Sequence, residues 1–114
     1  MSFLRLSILI FAGAVSFCPA VFGHIQEIRE IHQQLPGVKD SIDYVDKLNR
    51  LGMLYRNRNA DSCLHYGLEA KRIASNLAYR KGQADADLVI VFALFKRGLY
   101  AESLELLSRI LPYF

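Results

Sequence analysis

DLVIVFALF (residues 87–95) is nine residues with a single charge, set inside ADADLVIVFALFKRG (84–98). Three structures suit such a run: a membrane span, a buried strand, or a helix with more apolar surface than its neighbours. A span needs about 20 apolar residues, so the segment is far too short. Val, Ile and Phe favour pleated sheet, but no other part of the chain alternates with period two, and a lone strand has nothing to pair with. A helix from about Gln83 to Lys96 remains, with Asp85 and Asp87 expected in its first turn and Lys96-Arg97 in its last, where each charge suits the helix dipole.

The chain has 114 residues and a formal charge of +3, room for one small domain. Much of its 53% hydrophobic content lies in MSFLRLSILIFAGAVSFCPAVFG (1–23). One cation, Arg5, precedes an apolar run from Leu6 to Val15 and then small residues, the order of a secretory signal peptide. Cleavage is expected after Gly23, with Ala20 a second site and a lipoprotein site at Cys18 disfavoured by the bulky Phe17. An uncleaved segment would instead anchor the chain in a membrane through residues 6–22. Removal leaves about 91 residues, a charge of +2 and Cys63 as the only cysteine. Packing without a disulfide must then hold the exported domain together. So mild a basic surplus, with no basic stripe, argues against nucleic-acid binding.

The remaining sequence is periodic throughout. HIQEIREIHQQL (24–35) spaces Ile25, Ile28, Ile31 and Leu35 as one helical stripe, and Pro36-Gly37 stops it, giving an N-terminal amphipathic helix unit over 24–38. Asp40 or Ser41 can cap a second helix running to about Arg58, with Ile42, Val45, Leu48, Leu51 and Tyr55 inward. Asn57-Arg58-Asn59 is expected to turn through a left-handed residue. Asp61 then caps a third helix whose stripe is Leu64, Leu68 or Gly67, the Lys71 stem and Ala74. Arg80-Lys81-Gly82 makes the next turn. Gly98 ends the fourth helix, and Ala101–Leu111 forms a fifth with Leu104, Leu107 and Leu111 on one side.

Helix pairs invite a search for repetition. Residues 48–74 align with 88–111: Leu51-Gly52 falls on Ile90-Val91, Tyr55 on Leu94, Cys63 on Ser103 and Ala70 on Ile110. The offset is 39 in the first helices and 40 in the second. With Leu51, Gly52, Tyr55, Cys63 and Ala70 in one unit and Ile90, Leu94, Gly98, Tyr100, Ser103 and Leu107 in the next, residues 41–111 resemble the tetratricopeptide repeat (TPR) family. The resemblance implies an all-α fold: antiparallel helix hairpins, about 41–79 and 81–111, stacked as a short solenoid after the signal peptide. LGMLYRNRNADSCLHY and RKGQADADL are similar to TPR arrays in exported sensor regions of bacterial signalling proteins, which implies a periplasmic or extracytoplasmic location. Three positions depart from the pattern. Val91 replaces the glycine that lets helices approach, Gly67 stands where a large residue is usual, and Asp87 takes an apolar place.

Chemistry for catalysis is not evident. His24, His32 and His65 lack metal-ligand spacing. Cys63 reads as a small core residue. Asp85-Asp87 and Glu102-Glu105 read as dipole-complementing charge in first turns. No nucleophile triad, phosphate loop or nucleotide fingerprint is present, so neither an enzyme nor a cofactor is expected. The TPR resemblance places function in the groove lined by the first helix of each hairpin. By register that groove offers Asp46, Asn49, Met53, Arg56 and Asn57, then Asp85, Leu88, Val89, Phe92 and Phe95. Burying a Leu or Phe gains about 1.5–3 kcal/mol, so the second set should be covered. Candidate covers are a protein or peptide, a second copy of the chain in a self-associated oligomer, further repeats, or helix 24–35 folded across it. Two repeats and one extra helix are marginal for stability, and we expect a piece of a longer array, a truncated copy or one half of an assembly.

Overall fold

The computed structural model describes residues 19–114, and five α-helices follow one another among them: α1 Pro19–Gln34, α2 Ser41–Tyr55, α3 Ala60–Asn76, α4 Arg80–Lys96 and α5 Tyr100–Ile110. Of the expected leader and anchor, residues 1–18 lie outside the described residues. α1 already begins at Pro19, ahead of the expected start at His24. Short 3-10 turns follow α1 at Leu35–Gly37 and α5 at Leu111–Tyr113. The described chain is all-α, and among the described residues no helix is long and apolar enough to cross a membrane.

α2 pairs with α3 and α4 with α5, while α4 also packs on both α3 and α2. The run at 87–95 is therefore the middle of an apolar helix with neighbours on two sides. Val89, Ile90 and Val91 are all buried, and so are Ala84, Ala86 and Ala93. Of the apolar set expected to need an outside cover, Val89 is covered from within, Leu88 and Phe92 are half-buried and Phe95 is exposed. The aligned pairs share burial as well: Leu51 with Ile90, Gly52 with Val91, Cys63 with Ser103 and Ala70 with Ile110. Cys63 Sγ donates to Val89 O (3.5 Å) and Ser103 Oγ to Val91 O (3.0 Å), so a small polar side chain grips α4 from each flank.

One contact sets the spacing. Val89 is 1% exposed and stands against Gly52 of α2 and Gly67 of α3 together. A Cβ added at Gly52 would lie 2.5 Å from Val89 Cγ1, and one at Gly67 would lie 2.9 Å from the same atom. A valine methyl sits on a short, stiff stem that has no open rotamer to retreat into. The glycine at 67, out of pattern in the sequence, is thus half of a notch that admits Val89. Asp87 is explained similarly. It pairs with Lys71 of α3, whose charged head reaches α4 while its stem lies along the helix.

α1 docks elsewhere than across the groove. Ile31 packs with Leu51 and Leu54, joined by Ile28, Leu35, Tyr55 and Tyr66, and both Glu27 oxygens take bonds from Arg50 at 2.7 and 2.9 Å. Ile25 of the expected stripe is 40% exposed.

Several boundaries differ from expectation. α2 stops at Tyr55, and the turn after it holds no left-handed residue; Asn59, not Asp61, caps α3 by accepting from Ser62 N (3.1 Å). Asp40 caps α2 as expected, accepting from Ile42 N. α4 starts at Arg80, so Arg80-Lys81-Gly82 is its first turn and Asp85 and Asp87 lie beyond it. The turn itself is made by Ala78 at φ 52°, with Tyr79 N donating to Ala74 O. An equivalent turn after α4 uses Gly98 at φ 81°, with Leu99 N on Leu94 O. Alanine carries no signal for a left-handed site, so nothing in the local sequence marks the turn at this position. In α5 the buried positions are Ser103 and Ile110 with Leu106 and Leu107 half-buried, while Leu104, and Leu111 in the 3-10 turn that follows, are exposed.

Gly52→Ala should lower stability by roughly 1–2 kcal/mol, overpacking against Val89 outweighing the gain in helix propensity. Combined with Val89→Ala it should cost less than the sum of the single changes by at least about 0.5 kcal/mol in urea melts. Ala78→Gly should raise stability by about 0.5–1 kcal/mol, because the left-handed backbone strain is removed. Burial outweighs the influence of Arg56 and pushes the Cys63 thiol up to about 11. In a Cys18→Ser background, a disulfide reagent at pH 8 should modify Cys63 only after unfolding.

Candidate functional site

α2 and α4, the first helices of the two hairpins, run side by side because the glycine notch draws them together, and a furrow lies between them. Its central hollow, about 310 Å³ in volume, is walled by Asp46, Asn49, Arg50 and Met53 from α2 and by Lys81, Asp85, Leu88 and Val89 from α4. Six of the ten residues expected in the groove meet there: Asp46, Asn49, Met53, Asp85, Leu88 and Val89. Val89 forms its floor and is not an exposed contact, since its side chain is spent in the notch. Met53 and Leu88 are half-buried.

Polar groups hold the walls. Asn49 is 6% exposed; its Nδ2 donates to Gly82 O across the helix pair at 3.1 Å. Its Oδ1 is buried with no hydrogen-bond partner among the described residues. An orphaned buried acceptor costs about 1–3 kcal/mol. Tyr79 OH donates to Asp46 Oδ1 (2.8 Å), and burial together with that bond pushes the Tyr79 phenol up from its ordinary value. Lys81 Nζ donates to Asp85 Oδ2 at 2.8 Å, a contact that holds the ammonium more firmly charged. On the α1 side, the hydrogen bonds from Arg50 hold the Glu27 carboxyl below its usual range.

Further along, Arg56 lies over the Phe92 ring, 5.4 Å from its centroid, a cation–π contact worth about 0.5–1 kcal/mol where exposed. Phe92 is half-buried, whereas Phe95 is 54% exposed and meets Tyr100 edge-on at 5.1 Å. The ten residues therefore do not form one surface. Asn57 lies in a second hollow, between the start of α1 and the end of α2, that shares Arg50 and Met53 with the first and is also lined by His24, Leu54, Arg56 and Arg58. Phe95 belongs with Tyr100 at the outer end of the second hairpin. Arg50, Tyr79 and Lys81 were not among the expected residues. The four-residue spacings Asp46–Arg50 and Lys81–Asp85 carried a signal for two of them; nothing local marked Tyr79, which reaches 33 positions back in the chain.

Among the described residues no cluster of three or more His, Cys, Asp or Glu is placed to hold a metal ion. The three histidines stand on exposed faces, and His32 and His65 meet the edge of Tyr66 rather than one another.

The paired helices, the aligned burial and the furrow on the first-helix face are the features of a TPR hairpin array. No curated protein and no solved structure matches the chain. A family model described as the SusR N-terminal TPR domain matches residues 23–113, which takes in all of α2 to α5 and most of α1. TPR domains are in general non-catalytic modules for protein interaction. Over nearly all of its described length, this chain belongs to the SusR N-terminal TPR domain family.

Proposed function

We propose that the chain recognises a protein or peptide segment in the furrow between α2 and α4, without catalysis, as the exported sensory or adaptor part of a signalling system. The carrying observation is the make-up of that furrow. Half-buried apolar side chains, Met53, Leu88 and Phe92, sit between polar groups at either end, Asp46 and Asp85 on one side and Arg56 on the other. Apolar centre and polar ends are what a bound segment needs for affinity and for register. The leader-like first 23 residues and the family match support the extracytoplasmic and sensory parts of the reading. Occupancy would act by changing how α2 and α4 sit against each other, and so how neighbouring elements pack.

A second reading, self-association, is favoured by a different surface. Leu104 (66% exposed), Leu111 (58%), Tyr100 and Phe95 crowd the outer side of the second hairpin, more apolar area than isolated surface residues require. In that reading the interface is the α5 side and the furrow is free.

One experiment separates them. A photo-crosslinking amino acid placed at Met53 or Leu88 in the producing cell should give a discrete adduct with another protein. The same residue at Ser75, on the exposed far side of α3, should give none. Adducts between copies of the chain, strongest at Leu104, would replace the furrow reading with self-association.

A further inference from the structure

Arginines gather where the furrow runs out toward α1. We propose that the second hollow, between the start of α1 and the end of α2, is a subsite for an acidic side chain, glutamate or aspartate, of the bound segment; this rests on the furrow being the binding site. The hollow is about 330 Å³ in volume, and Arg50, Arg56 and Arg58 line it with His24 and Asn57. Among the described residues no aspartate or glutamate lines it. Glu27 adjoins it through its bonds to Arg50, so three guanidinium groups meet one carboxylate. A helix dipole favours cations within the last turn. That accounts for Arg56 at the C-cap of α2, but not for Arg50, more than a turn earlier, and it does not require the three to share one hollow.

The donors have capacity left. Glu27 takes the Nε edge of Arg50, which leaves both Nη1 hydrogens unspent. Arg56 has one face over the Phe92 ring, and its N–H groups lie in the guanidinium plane, clear of that ring. Arg56 and Arg58 are exposed and pair with no carboxylate among the described residues, whose ion pairs use Lys47, Arg50, Lys71, Arg72, Lys81 and Arg97. Forked donors of this kind match the two oxygens of a carboxylate in charge-assisted bonds. Continuity fixes the source of that carboxylate. Met53 and Arg50 line both hollows, and Arg56 reaches from this one to Phe92 in the furrow. A segment with apolar residues on Met53, Leu88 and Phe92 therefore carries its next side chain to the arginines. The volume is at the small end for a ligand site and suits one such side chain. In the first hollow Asp46 and Asp85 are matched by Arg50 and Lys81, so the charge preference comes from the α1 end and orients the segment.

The test titrates the nitrogen-15-labelled full chain with two blocked peptides, acetyl-Leu-Leu-Glu-Leu-amide and its glutamine counterpart, at matched low ionic strength. The glutamate peptide should shift the arginine Nε–H signals and the backbone amides of residues 53–58 saturably, and bind about fivefold more tightly than the glutamine peptide. Arg56→Gln with Arg58→Gln, checked for intact helicity by circular dichroism, should bring it down to the glutamine level. Arg29→Gln with Lys39→Gln, which removes the same charge from exposed positions outside the hollow, should leave the preference in place. Equal binding of the two peptides, a preference that survives loss of Arg56 and Arg58, or one that both pairs of substitutions weaken alike would overturn the proposal. Equal binding that shifts Met53 and Leu88 overturns the acidic subsite and leaves the furrow standing. Absence of any shift also overturns the subsite, and the furrow itself is then judged by the cross-linking at Met53, which does not depend on charge.

Discussion

The furrow depends on how closely α4 approaches α2 and α3, and that distance is set by Val89 against Gly52 and Gly67. Two missing Cβ atoms, on two different helices, leave space for one β-branched side chain. Protein interiors are packed to crystal-like density, so such a fit is discrete: filling either glycine position pushes the helix out and does not merely tighten the contact. Once α4 is seated, its first turn meets α2. Asn49 reaches Gly82 O and Tyr79 reaches Asp46, two cross-helix bonds that require the same approach. The hollow is what remains above Val89 when these contacts are made.

The second hairpin does not repeat this device. In the alignment, Val91 and Leu107 occupy the places of Gly52 and Gly67, and side chains fill the space in which a knob would sit. Ser103 still grips α4 as Cys63 does, so the hairpin is closed in the same way. Its outer face is different, carrying exposed Leu104 and Leu111 without a glycine notch. The furrow and the outer face are therefore two surfaces with different geometry, and an assembly through one leaves the other open.

Charge follows the same logic. Asp85 and Asp87, carboxylates two positions apart and alike to any local reading, part company once α4 has neighbours. Asp87 goes to Lys71 on α3 and is structural. Asp85 turns to the furrow with Lys81. Their separation by two positions on a helix places them on different faces, and the neighbouring helices give each face its meaning.

Helix periodicity, the hairpin repeat and the helical nature of residues 87–95 were determined by the sequence itself, because stripes at 3.6-residue spacing and the want of any period-two partner are local properties. Burial at Val45, Leu48 and Leu51 followed from that spacing, and burial at Cys63 and Ala70 from the repeat resemblance, whereas Leu68 of the expected stripe in α3 is exposed. Tertiary structure alone decided where α1 lies, that Ala78 and not Arg80-Lys81-Gly82 makes the turn into α4, and that Val89 is a buried knob while Phe95 is left outside. It also decided that Gly67, out of place in a repeat pattern, is half of the central contact. These depend on which side chain of one helix faces which gap in another. That relation spans tens of residues, and pattern within either helix does not carry it.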